Sequence, residues 1–377
     1  MIWYIVPTSY PWALNVCIFV DDNGIFIHMM LRQIMKCIMS NSRIAECVVC
    51  AVLMLASSLT ASAQPESGLR PSQTVLLYAD SFEGNVDLVY GDEIVYAGFK
   101  MAEETGLTGQ EELEASGSIG NISDLARVDI YLPKKGNGKM AVVCPGGGYR
   151  KVSSYIEGLY VAEWLVSKGI GAAVVKYRMP EAHWEVPLAD VQNVFRYCRA
   201  NASRWGISTI GVMGFSAGGH LAACASNMFV DEVTRPDFAV LVYPVISFDK
   251  AVYFSGTRTS LIGTDEYWDN KELKASEWMA SVKKRDELVE AYSMEKRVTS
   301  ATPPTFLAHC TDDNTSVDNS LVYYKALLDS DVPVEMHIYA EGGHGWGFTA
   351  GKAGGKDKFA FARDEFYASL ERWLKSL

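Results

Sequence analysis

From residue 127 onward the chain alternates between two hydrophobic rhythms. Residues 128–132 (Val-Asp-Ile-Tyr-Leu) alternate apolar and polar positions, as a half-buried strand at a sheet edge does. Residues 140–144, 170–175, 210–215 and 238–243 are apolar runs of strand length, which suit buried parallel strands. Residues 305–308 and 334–339 also read as strands. Between these runs apolar positions recur at helical spacing. The spacing predicts helices over 155–168, 187–204, 217–229, 321–330 and 361–374. Strands alternating with helices of this length imply βαβ units and a mostly parallel twisted sheet with helices on both faces. Residues 247–300 carry more charge and predict a small helical insertion over the top of the sheet. Residues 64–125 predict an irregular lead-in with one or two strands, 75–78 being a candidate, and residues 126–377 the main α/β domain.

Composition narrows the partners more than the fold. The 377 residues are 49% hydrophobic and 21% charged, ordinary values for a globular chain with a large core. The net charge of −11 argues against nucleic acid and anionic membrane surfaces and favours a neutral substrate. Residues 1–63 read as a leader. Arg32, Lys36 and Arg43 supply a basic region, residues 47–59 an apolar run, and Ala61-Ser62-Ala63 a small-residue cleavage site. This predicts an exported protein, periplasmic or extracellular, with no stable membrane insertion after cleavage. The apolar stretch of residues 2–27 ahead of that signal points to a later methionine, such as Met30, Met35 or Met39, as the true start. Cys144, Cys198, Cys224 and Cys310 lie beyond the leader, all in apolar strand or helix patterns that predict buried free thiols.

Open α/β sheets place their sites beyond the carboxyl ends of the strands. Four chemically loaded segments fall there. Gly214-Phe215-Ser216-Ala217-Gly218 is a G-x-S-x-G pattern at a strand-to-helix turn, where a serine hydroxyl is pushed out as a nucleophile. A serine needs a base, and His344 sits in the glycine loop after the last strand. The base needs an orienting acid; Asp313 is favoured, with Asp312 as the alternative and Asp249 a weaker one. The Ser…Asp…His order is that of α/β-hydrolases. Oxyanion donors are expected from the N–H groups of Ala217, Gly147 and Gly148. Tyr149, Trp184 and Trp346 flank these loops and could form a flat wall for a sugar ring. His220 and His309 read as structural. No metal-ligand cluster, phosphate loop or cofactor signature is present in the pattern.

These segments together resemble one family. Pro145-Gly-Gly-Gly-Tyr149, Lys176-Tyr177-Arg178, Val186-Pro187-Leu188, Gly214-Phe-Ser-Ala-Gly-Gly-His220, Tyr243-Pro244-Val245, Thr302-Pro303-Pro304-Thr305-Phe306 and Gly342-Gly-His-Gly-Trp346 occur in the order seen in bacterial α/β-hydrolases of the acetyl xylan esterase and feruloyl esterase-like group. The resemblance spans residues 105–377. It implies an exported serine esterase that removes acetyl, and sometimes feruloyl, groups from plant xylan. It assigns Ser216 as nucleophile, His344 as base and Asp313 as acid. Members commonly carry Val-Pro after the Asp-Asp pair, whereas Asn314-Thr315-Ser316-Val317-Asp318 follows here, which leaves Asp312 in contention. An exported serine peptidase, a general small-ester esterase and a glycan-binding relative without activity are the competing classes.

Overall fold

The apolar runs become the strands of one sheet. The computed structural model describes residues 69–77, 88–90, 93–95, 111–114, 116–122, 126–250, 252, 255–348 and 359–377. The predicted leader, residues 1–63, lies outside them. In chain order the strands are β1 (Gln73–Leu76), β2 (Leu88–Tyr90), β3 (Glu93–Val95), β4 (Glu112–Leu113), β5 (Ser118–Gly120), β6 (Arg127–Tyr131), β7 (Lys139–Cys144), β8 (Lys151–Ser153), β9 (Gly171–Lys176), β10 (Thr209–Phe215), β11 (Ala239–Val242), β12 (Thr305–Cys310) and β13 (Val334–Tyr339). Eight of them form a sheet in the order β1-β6-β9-β7-β10-β11-β12-β13. The five neighbouring pairs from β9 to β13 are parallel, and β1 and β6 join antiparallel at one end.

The helices are α1 (Tyr160–Ser167), α2 (Val186–Trp205), α3 (Ser216–Asn227), α4 (Ser255–Ile262), α5 (Asp265–Trp268), α6 (Ala275–Ala291), α7 (Asp318–Asp329) and α8 (Arg363–Ser376). Strand side chains alternate between the sheet's two faces, and the core divides accordingly. Met140, Val142 and Cys144 pack with Val191, Phe195, Leu221 and Leu327 on the face covered by α2, α3 and α7. Ala141 and Val143 pack with Leu165, Phe366 and Leu370 on the face covered by α1 and α8. Each buried Val, Leu, Met or Phe side chain among them contributes about 1.5–3 kcal/mol. Both faces are covered, so the central strands are apolar throughout instead of alternating.

Three sequence expectations are corrected. Residues 127–131 do not form an edge strand, because β1 of the lead-in adds outside β6 and takes its free hydrogen-bonding side. That strand spans Gln73–Leu76, displaced from the predicted 75–78. The helix predicted over 155–168 opens with a π-helical turn, Tyr155–Leu159, before α1. The lead-in is also more ordered than expected where it matters: β4 and β5 pair antiparallel, and β5 pairs with β8 just beyond the glycine loop. The insertion over 247–300 is helical, as the charge pattern predicts, and supplies α4, α5 and α6. Cys144, Cys198, Cys224 and Cys310 are buried free thiols.

One buried ion pair ties the end of β9 to α2. Arg178 and Asp190 are almost fully enclosed; the Arg178 Nη2 donates to Asp190 Oδ1 at 2.7 Å and the Arg178 backbone N–H to Oδ2 at 2.8 Å. Removing one partner strands the other charge in the core. Asp190→Ala is therefore expected to destabilise the fold by about 3–5 kcal/mol, whereas replacing both residues with apolar ones of similar volume recovers most of that loss. Urea unfolding of the single and double variants checks this; equal loss in both would refute it.

Candidate active site

Ser216 owes its exposure to a backbone that only this local sequence permits. It follows β10 directly and begins α3, with φ at 53°, in the left-handed region that side-chain-bearing residues rarely adopt. The turn is tight because the flanking glycines have no Cβ. A Cβ on Gly214 would meet the Gly218 carbonyl oxygen at 2.2 Å, and one on Gly218 would meet the Cys144 carbonyl oxygen at 2.1 Å. The strand-to-helix corner is thereby pressed against the end of β7.

Three loops at the same end of the sheet complete the arrangement. The Ser216 hydroxyl lies 2.8 Å from His344 Nε2. His344 Nδ1 lies 2.8 and 2.9 Å from the two carboxylate oxygens of Asp313. With Nδ1–H donating to Asp313, Nε2 is left unprotonated to accept the Ser216 hydroxyl proton. Asp312 does something else: its Oδ1 accepts the Gly343 backbone N–H at 2.7 Å and so holds the loop that carries His344. Asp249 lies near Glu295 and Lys296, and its backbone N–H donates to Ser247 Oγ at 3.1 Å.

The Asp313 side chain has no exposed surface. Burial pushes its carboxyl up, but hydrogen bonds from His309 and His344, the His344 charge and the Thr315 N–H outweigh burial and hold it below the usual aspartate value. A carboxyl depressed in this way contributes stability above its ordinary value and loses it as pH falls through the folded one, so Asp313 stays ionised through mild acid. His309 is itself buried, with Ser320 Oγ on one ring nitrogen and the Thr315 carbonyl on the other, both at 2.8 Å. His220 is likewise structural: it sits between the Tyr149 hydroxyl and the Tyr292 carbonyl, and burial lowers it to about 4, so it stays neutral.

The glycine loop faces Ser216 from β7. Gly147 and Gly148 line the same pocket, at φ 135° and 68°. The Gly147 carbonyl accepts the Arg150 and Lys151 N–H groups, while no acceptor among the described residues takes the N–H of Gly147 or Gly148. Ala217 is buried in the first turn of α3, where backbone N–H groups lack intrahelical partners. The loop is held from beneath by the Tyr177 hydroxyl, which donates to the Pro145 carbonyl at 2.7 Å.

The expected aromatic wall is not formed. Tyr149 is 1% exposed and Trp346 5%, the latter stacked on Phe359 with ring centroids 3.8 Å apart. Rings covered on both faces offer nothing to a sugar. Trp184 packs toward Trp268 and Lys284 of the helical insertion. None of the three lines the pocket. That cavity, about 320 Å³, is instead walled by Ser118 of β5, Arg150, Lys151, Ser153 and Thr257 beside Ser216 and His344. Glu157 also lines it, and sequence reasoning missed it. The available signal was an acidic residue on the apolar face of a helical pattern, between Ile156 and Leu159.

Similarity to known proteins bears on the family and the fold. An acetylxylan esterase from Xylanibacter ruminicola is 35% identical over 264 residues, covering 68% of this chain and 50% of that protein. An endo-1,4-beta-xylanase B from Butyrivibrio fibrisolvens is 29% identical over 221 residues, covering 54% of this chain and 32% of that protein. The chain thus spans half or less of the length of these curated relatives. Among solved structures, an acetyl ester-xyloside bifunctional hydrolase from Caldicellulosiruptor lactoaceticus superposes with a TM-score of 0.54 at 32% identity, covering 67% of this chain and 88% of that one. The family model BD-FAE matches residues 128–327, a span that holds Ser216, Asp312 and Asp313 and stops short of His344. The chain belongs to the BD-FAE family and has the α/β-hydrolase fold.

Proposed function

We propose that this protein is an exported serine carboxylic-ester hydrolase that removes acetyl groups from xylan or xylo-oligosaccharides. The observation that carries the reading is the continuous hydrogen-bonded line from Asp313 through His344 to the Ser216 hydroxyl, open to a pocket lined by unspent backbone donors. His344 Nε2 takes the Ser216 proton as Oγ attacks the ester carbonyl carbon. The developing oxyanion is received by the N–H groups of Ala217, Gly147 and Gly148, each donor being worth about 3 kcal/mol in such sites. As the bond from the acyl carbon to the sugar oxygen breaks, His344 protonates that oxygen, which leaves as a hydroxyl, and the acyl group remains on Ser216. Water, deprotonated by His344, attacks the acyl carbon; the bond to Ser216 Oγ breaks, His344 returns the proton to Oγ, and acetate leaves. Asp313 orients the ring and stabilises its charged form throughout. No step calls for a metal or cofactor.

The substrate assignment is supported by the similarity to an acetylxylan esterase. Export rests on the leader pattern that ends at Ala63. The deciding measurement compares acetate release from acetylated xylo-oligosaccharides with ferulate release from feruloylated arabinoxylan. We expect acetate release to dominate, abolished by a serine-directed phosphonate that adds to Ser216. Turnover of small nitrophenyl esters with neither product released from the glycans would overturn the substrate assignment.

A further inference from the structure

We propose that Glu157 is a positioning residue for this reaction: its buried carboxylate ties the oxyanion loop to the histidine loop and places a negative charge beside His344. The inference rests on the serine-esterase reading above.

Glu157 lies in the π-helical turn that opens ahead of α1 and is 5% exposed. Such turns recur at functional sites because they re-aim one side chain out of helical register. One carboxylate oxygen, Oε2, accepts the Gly146 backbone N–H at 2.7 Å. The other, Oε1, accepts the Tyr243 hydroxyl at 2.8 Å. The Tyr243 oxygen in turn accepts the Gly347 N–H at 2.9 Å. Two donors therefore point at one carboxylate, the Gly146 N–H and the Tyr243 hydroxyl, and the Gly347 N–H donates in turn to the Tyr243 oxygen, a pattern that an acceptor-only, ionised carboxylate satisfies.

The two ends of this chain are the two halves of the active site. Gly146 immediately precedes the proposed oxyanion donors, and a Cβ there would lie 2.9 Å from both Glu157 Oε2 and Ser216 Cβ. Gly347 belongs to the loop that carries His344, and the same loop is pinned to the π turn by the Phe348 N–H on the Ile156 carbonyl at 3.3 Å. The Tyr243 ring packs against the His344 ring with centroids 4.9 Å apart. Burial raises the Glu157 carboxyl above its ordinary value, and the Tyr243 hydrogen bond, the His344 charge and the Gly146 N–H oppose it in part. The same attraction stabilises the imidazolium that forms when His344 takes the serine proton. Other ionisable groups face the pair: Asp313 on His344 Nδ1, Tyr177 near Glu157, and Arg150 and Lys151 across the pocket, Lys151 already paired with Glu114.

Glu157→Gln keeps the volume and removes the charge. Its amide offers one acceptor and one donor, so it cannot accept from both Gly146 and Tyr243 without a mismatch. We expect kcat on acetylated xylo-oligosaccharides to fall about 10–100-fold with KM within about two-fold. We also expect the acid limb of the kcat/KM–pH profile to move to lower pH by about half a unit to one unit, because the imidazolium loses its neighbouring anion. Tyr243→Phe, which removes the relay and keeps the ring, should show a smaller kcat loss and cover the case in which Glu157→Gln fails to fold. Wild-type kcat with an unmoved acid limb in either folded variant overturns the proposal. So does a kcat loss in Glu157→Gln without any shift of that limb, which a structural role alone would give. Persistence of turnover in Ser216→Ala would instead bring down the esterase reading, so the two failures are distinguishable.

Discussion

Ser216→Ala is expected to lower kcat for nitrophenyl acetate hydrolysis about a million-fold, with an unfolding midpoint close to that of the wild type. The loss is large because the members of a triad act as a unit: without Oγ there is no acyl-enzyme, and His344 has no proton to take. The residual rate would come from the oxyanion donors, which can still polarise a bound carbonyl toward water. Stability should hold because Ser216 is held at φ 53° by the corner between β10 and α3, and alanine meets the same backbone strain as serine there. Stopped-flow measurement should also lose the burst that acylation gives. A variant that keeps a tenth or more of the wild-type rate would exclude Ser216 as nucleophile.

The second large effect separates two adjacent carboxylates. Asp313→Asn is expected to cost about ten-thousand-fold in kcat, and Asp312→Asn about ten-fold or less. An amide at position 313 would turn an N–H toward His344 Nδ1 and favour the ring tautomer that carries its proton on Nε2. That tautomer cannot accept from the Ser216 hydroxyl, 2.8 Å away. Asp312 holds only the Gly343 backbone N–H, and an asparagine carbonyl oxygen can still accept it. Comparable losses in the two variants would mean the acid had been assigned to the wrong residue.

These two cases show which parts of the site the sequence makes legible. Ser216 was readable because its corner demands glycine at 214 and 218, and that demand leaves a pattern in the chain. His344 was readable because few histidines follow a strand on a glycine loop. Asp312 and Asp313 were not separable, since neighbouring loop positions carry no periodicity to say which side chain faces inward. The aromatic wall failed for a related reason. Tyr149 and Trp346 stand next to the site in sequence, but their hydrophobic surface is satisfied by His220, Tyr177 and Phe359 within the core. Proximity in sequence does not reveal which face of a ring is already covered. The strands were legible because both sheet faces are buried, which makes their runs continuously apolar. The strand Lys151–Ser153 was not, as three residues are too few to show a period. Glu157 was hidden by a helical pattern that continues through the π turn.

The pairing of β5 with β8 has a consequence for how selectivity can change. Ser118, on the pocket wall, comes from a segment ahead of the stretch that the family shares, whereas Ser216 and Asp313 lie inside it and His344 beyond it. Drift in residues 111–120 can therefore reshape what enters the pocket while the reacting atoms stay where they are. Part of the pocket wall is thus carried on a length of chain outside the shared stretch, so relatives that share the Ser216 corner are free to differ there.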